Sequence, residues 1–235
     1  MIRRIVAILR KEAQDIVTNF NVSIMYALPL GIVVLFQRMM GALGKAEIAS
    51  FGVVFLTGMA GLYVPSMLIA EEREKRTLEV LMLSPATAVE IFVGKGLLTV
   101  ISTAVTALLI YWVLGVPAAL IPRLLLVFIL AVSACIPLGL IVGLLAPNLL
   151  STGLVGMPLY IGFTLLPLLS PVSEVIYKLS RIAPTAHLRD ATLALIGGEP
   201  AAYGLFATVF YLLVTFGVAC ALLAWAYRKR SGALV

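Results

Sequence analysis

The residues of this chain that could do chemistry are few. Glu71 and Glu72 are adjacent carboxylates followed by Arg76, and with a histidine such a group could activate a water molecule. The single histidine, in Pro184-Thr185-Ala186-His187-Leu188-Arg189-Asp190, has no second ligand at metal spacing and no nucleophile beside it. A role as a gate or fold contact on the extracellular side fits it better. Cys135 and Cys220 sit in apolar stretches without CxxC spacing, which points to packing. Gly41-Ala42-Leu43-Gly44-Lys45 is too short between its glycines to be a GxxxxGK[ST] phosphate loop. The sequence therefore assigns no catalytic, cofactor-binding or metal residues to this chain.

The elements that carry these residues belong to a membrane. Of 235 residues, 62% are apolar and 12% charged, whereas soluble domains carry about 25% charge. A soluble fold of this length could not hide so much apolar surface. The net charge of +6 comes from bases at the ends of apolar runs, with no interleaved aromatics, so nucleic acid is not an expected partner. Uncharged runs cover Ile16–Gln37, Ile48–Ala70, Gly96–Pro122, Leu124–Ser173 and Pro200–Tyr227. A span needs about 20 residues, so the fourth run holds two, divided at Ala146-Pro147-Asn148. The expected fold is all-α and integral to the membrane, one transmembrane domain over residues 1–235 with six transmembrane helices.

With the N-terminus inside, eleven Lys and Arg fall in cytoplasmic segments and six outside. Both termini are expected in the cytoplasm, and membrane lipid is an expected partner. In residues 1–16, Ile2, Ile5, Val6, Leu9, Ala13 and Ile16 repeat at helical steps opposite the charged residues, the pattern of an interfacial helix. A signal peptide fits less well, because the charged part is patterned and no small-residue cleavage site closes the run. Between the fifth and sixth spans, residues 172–202 read as an extracellular hairpin of two short amphipathic helices, outside the membrane or dipping back into it, the second ending at Gly197-Gly198. In the fourth span, Ala131, Cys135, Gly139 and Gly143 make a small-residue stripe suited to close packing, within one subunit or at a dimer seam.

The densest chemistry lies between the second and third spans, in EEREKRTLEVLMLSPATAVEIFVGK from Glu71 to Lys95. Six charged residues in a row would cost roughly 15 kcal/mol at mid-bilayer, so they are expected to emerge into water. Leu78, Leu81 and Met82 then fall at steps of three and four, widened by Val80 and Leu83, until Ser84-Pro85 stops the helix. Thr87 and Glu90 have capping-box spacing for the next helix. The pattern alone leaves open whether the short helix rests on lipid or docks into a partner protein.

This connector resembles the one found in type-2 ABC transporter permeases, the transmembrane subunits of ABC exporters. There, acidic residues, a Gly-Thr-Leu-Glu-like core, a leucine pair, a proline and a lysine entering the third helix come after the second helix. Thr77-Leu78-Glu79, Leu81, Leu83, Pro85 and Lys95 stand at those places, with Arg76 where the family commonly has glycine. The resemblance extends over the whole chain. It implies that the segment 71–86 is a cytoplasmic coupling helix, with Glu72, Glu74, Thr77, Leu78, Glu79, Leu81, Met82, Leu83 and Pro85 meeting an ATPase subunit. It also implies two copies of that separate ATPase, which bind ATP and Mg, and a second permease copy or a related permease. The setting would be a bacterial or archaeal cytoplasmic (inner) membrane and the direction export.

On the same analogy the substrate path runs along the second and fifth spans, with Thr57, Tyr63, Met67, Met157, Tyr160, Phe163 and Thr164 as its candidates. Met and aromatic side chains suit an apolar or amphipathic cargo. Two other classes compete. Glu71-Glu72 with Arg76 matches the EExxxR pattern of CAAX-type intramembrane metalloproteases, but the His-xxx-Asn/Asp element those enzymes also need is missing, since Ala191 stands four residues after His187, and no span supplies the Arg of their aromatic-xxx-Arg element. A secondary transporter would be expected to carry polar or ionisable residues inside its spans, and these runs hold no Asp, Glu, Lys or Arg.

Overall fold

The computed structural model describes residues 9, 19–39, 44–75, 87–198, 200 and 203–231. The expected interfacial helix, apart from residue 9, and residues 76–86 of the connector lie outside them. Among the described residues the chain is helical and has no strand. Six helices among the described residues are long and apolar enough to span a membrane. They are α1 (Phe20–Met39), α2 (Lys45–Glu74), α3 (Ala88–Val113), α4 (Ile121–Leu145), α5 (Ser151–Val172) and α8 (Leu205–Ser231). Two shorter helices, α6 (Glu174–Ser180) and α7 (Pro184–Gly197), join α5 to α8.

Local sequence sets the helix ends. Asn19 opens α1, its side-chain oxygen accepting from the Asn21 N–H at 3.1 Å. At α3 the capping box is complete: Thr87 Oγ1 accepts from the Glu90 N–H at 3.2 Å, and Glu90 Oε2 accepts from the Thr87 N–H at 2.8 Å. Such a cap contributes about 1 kcal/mol. The α4–α5 turn is closed by Asn148 and Ser151, each side chain accepting from the other's backbone N–H at 2.9 and 3.1 Å. Gly198, at φ +71°, takes the left-handed conformation that ends α7.

The bundle is built around α2, whose most apolar stretch is 83% buried; α4 comes next at 61% and no other span exceeds 39%. The small-residue stripe of α4 faces α2 within the same subunit. A Cβ at Gly139 would lie 2.2 Å from the Leu62 carbonyl oxygen, and one at Gly143 would lie 2.6 Å from that of Ser66. Ala131 and Cys135, on the same face, are fully buried. Helix α7 completes the core, with Leu188 and Ala191 joining residues of α1, α2, α3 and α4 in one cluster.

Three stretches of the described spans depart from α-geometry, one of them the 3-10 turn Ser170–Val172 that ends α5. Thr57–Tyr63 in α2 and Ile161–Leu165 in α5 are π-helical. Both π stretches meet at one point, where a Cβ on Gly58 would lie 2.0 Å from Thr164 Oγ1. Segments of this kind concentrate at functional sites, because each inserts an extra residue and re-aims the side chains beyond it.

Candidate functional site

Four consecutive residues at the end of α2 each reach a different helix. Glu71 Oε2 accepts from Asn19 Nδ2 at 3.3 Å, tying α2 to the start of α1. Glu72 Oε1 lies 3.0 Å from Lys95 Nζ of α3. The Arg73 guanidinium donates to the carbonyls of Leu144 and Ala146 at 3.2 and 2.7 Å, satisfying the open end of α4. Glu74 Oε2 accepts from the Leu149 N–H at 2.9 Å, just before α5. Successive helical residues point about 100° apart, so four of them survey the full circle. The charges also match the dipoles they meet, a cation at the C-terminus of α4 and a carboxylate at the N-terminus of α5.

This hub corrects the expectation that every charge from Glu71 onward emerges into water. Glu74 and Lys75 are exposed, but Glu72 is turned inward and buried, and Lys95 is only 1% exposed. Each charge makes the other tolerable away from water. The remaining members of the proposed coupling set, Thr77, Leu78, Glu79, Leu81, Met82, Leu83 and Pro85, lie outside the described residues. The hub stands immediately before them.

A cavity of about 630 Å³ opens beside the hub between α2 and α5, with Met25 of α1 closing one side. It runs from Leu150, at the start of α5, to Leu165, a rise of about 22 Å. No lining residue is charged. Tyr63, Met157, Tyr160 and Thr164 from the sequence-predicted path line it, together with Phe55, Gly58 and Met59. Three other candidates do not. Thr57 is fully buried and donates its hydroxyl to the Val53 carbonyl at 2.7 Å. Met67 is buried in the packing of α2, and the Phe163 carbonyl accepts from the Thr185 hydroxyl. Within the wall, Ser66 Oγ donates to the Tyr63 carbonyl at 2.6 Å. Its 2.8 Å contact with the Tyr160 hydroxyl therefore has Tyr160 as donor. The Tyr63 and Tyr160 rings meet edge to face at 5.1 Å.

His187 belongs to neither feature. Ile196 and Gly197 of its helix line a cleft with Gly44–Glu47, at the start of α2 and about 40 Å along the helix from the hub. Arginine only donates, so the 3.3 Å contact from Arg181 makes His187 Nδ1 the acceptor. Nε2–H then donates to the Arg181 carbonyl at 3.1 Å. The ring stacks on Tyr211 of α8 at 3.9 Å, while Arg181 pairs with Asp190. Burial, and secondarily the Arg181 charge, hold the imidazole below its ordinary value of 6.5. The cluster fastens α6 and α7 to α8. Among the described residues no three His, Cys, Asp or Glu side chains come together to hold a metal.

Six spans, one of them a buried central helix, with a charged hub at the exit of that helix and an uncharged intramembrane cavity, define a polytopic membrane transport subunit. The chain belongs to the family described as ABC-2 family transporter protein, which matches residues 5–226. It is a membrane subunit of an ABC transporter and not itself the ATPase; membership implies an ABC ATPase partner. Among curated proteins, none gives a significant match to the chain.

Proposed function

We propose that this protein is the permease of an ATP-driven exporter, in which two copies of a separate ATPase subunit act on the connector 71–86. The observation that carries this reading is the hub: Glu71, Glu72, Arg73 and Glu74, the first residues of that connector, join α2 to α1, α3, α4 and α5. A push on the connector reaches four other spans within one helical turn. The hub and the connector lie on the cytoplasmic side, and residues 172–202 on the outer side. A second permease copy or a related permease completes the path.

Above the hub, α2 is regular helix from Val64 to Glu74 and π-helical from Thr57 to Tyr63. The regular part is the lever, and the π segment, which also lines the cavity, is where the lever bends. Closure of the ATPase pair swings the lever and changes the cavity wall at Gly58, Met59 and Tyr63, moving an apolar or amphipathic cargo between two openings. The ATP and Mg stay with the ATPase.

Leu81→Asp and Glu79→Arg test the docking directly. Each is expected to abolish transport and transport-stimulated ATP hydrolysis in proteoliposomes while the permease remains in the membrane. Wild-type transport in both variants would place the docking site elsewhere.

A further inference from the structure

We propose that the buried Glu72–Lys95 ion pair is a register lock that makes α2 and α3 move as one body. This inference rests on the reading of residues 71–86 as the driven connector.

The pair differs from the other hub contacts in its seclusion. Its side chains are 9% and 1% exposed at a separation of 3.0 Å, whereas the Glu71–Lys75 pair leaves Lys75 65% exposed. Buried pairs escape screening by salt, but they add little net stability, since two apolar side chains of similar volume pack as well. Their particular property is directional. Apolar surfaces slide past one another with graded loss, while a buried pair has one register in which both charges are met. A slip of one residue shifts a helix by about 1.5 Å and turns its side chains by about 100°. Either helix slipping in this way would strand an ammonium or a carboxylate among Ile69, Ile91 and Leu98, all buried nearby in sequence.

The position of the pair in the chain gives that property a use. Glu72 precedes residues 76–86 and Lys95 comes after them, so the pair ties together the two helices between which that segment runs. Without it, a push on the connector could be absorbed by α2 and α3 sliding or splaying apart. With it, displacement passes into both helices together, and through Arg73 and Glu74 to α4 and α5. Glu72 and Lys95 are positioning residues: they touch no cargo, and Lys95 is absent from the cavity wall.

The test has two arms. In the permease alone, in nanodiscs and with Cys135 and Cys220 replaced by Ala, spin labels at Lys75→Cys and Val93→Cys report the α2–α3 register. Both sites are exposed. A single narrow distance is expected with the native pair, a broad or two-peaked distribution in Glu72→Gln/Lys95→Met, and a narrow one again in the swap Glu72→Lys/Lys95→Glu. An unchanged narrow distance in the neutral double variant overturns the lock, whatever the ATPase does. In proteoliposomes with the ATPase, transport per ATP hydrolysed is expected to fall at least tenfold in the neutral pair, with recovery in the swap. A wild-type ratio in the neutral pair also overturns it. If the neutral pair fails to reach the membrane, Glu72→Asp keeps both charges and shortens the reach by one methylene. A several-fold drop in the ratio then supports the lock, and an unchanged ratio refutes it. Absence of any ATPase from the wild-type complex would refute the functional reading and leave the first arm to decide the lock.

Discussion

Replacing Gly139 by Ala strikes the contact on which the central helix depends. The new Cβ would sit 2.2 Å from the Leu62 carbonyl oxygen, 3.1 Å from its carbon and 3.3 Å from its Cα. All three are backbone atoms of α2, so no side chain can rotate away, and α2 and α4 must part by about 1 Å to restore ordinary contact. Overpacking of this kind costs about 1–3 kcal/mol, and a backbone-on-backbone clash belongs at the upper end. The better helix propensity of Ala returns about 1 kcal/mol, leaving a net loss of about 2 kcal/mol. For a chain of this length that is a fall of about 4–8 °C in melting temperature. Gly31→Ala and Gly217→Ala serve as controls, because a Cβ at either glycine meets nothing within 4 Å. They gain propensity alone, about 1 kcal/mol, and should melt about 2–4 °C higher. Thermal unfolding in detergent, monitored by a thiol-reactive fluorophore in proteins that also carry Cys220→Ala, reads the effect where it occurs, since fully buried Cys135 lies one turn from Gly139. A Gly139→Ala protein that melts with the two controls would refute the close α2–α4 approach.

Two further predictions concern the far-end cluster and the cavity. Because His187 is held below 6.5 when folded, the unfolded chain takes up the proton first. Its contribution is complete above about pH 6.5, falls as pH drops from there through the folded value, and is flat below. Melting curves at pH 8, 6.5 and 5 should show an acid loss that His187→Gln diminishes; an identical loss in the variant would contradict the neutral, accepting imidazole. A Cβ at Gly153 meets nothing within 4 Å and Gly153 lines the cavity. Gly153→Leu should therefore fold normally, fill part of the 630 Å³ and reduce transport severalfold, and undiminished transport would move the path elsewhere.

The six spans were legible because a membrane forbids charge: each uncharged run had to be a helix, and Pro147-Asn148 divided the long one. Thr87 and Glu90 announced the start of α3 by spacing alone, since a capping box is a local interaction. The inward turn of Glu72 was not legible. In sequence it is one of six charged neighbours, and only the approach of Lys95, 23 positions later, singles it out. The cavity wall was half legible. Tyr63, Met157, Tyr160 and Thr164 do meet there, but Thr57, Met67 and Phe163 turn away. Apolar residues on all sides of a membrane helix look alike to a periodicity argument. The π segments shift the helical phase at just these positions, so a regular 3.6-residue count misplaces the side chains on their C-terminal side. Gly58 carries one sign of the site, a residue small enough for α2 to meet Thr164 of α5.

The central claim is that a separate ATPase drives this permease through the connector beside the hub. Gentle purification from the native membrane, with identification and ATP-hydrolysis assay of the proteins that accompany the permease, tests it most directly. The expected result is an ABC ATPase subunit that stays bound at two copies per complex and is lost when Leu81 is replaced by Asp. Repeated recovery of the permease without any ATPase subunit would contradict that claim.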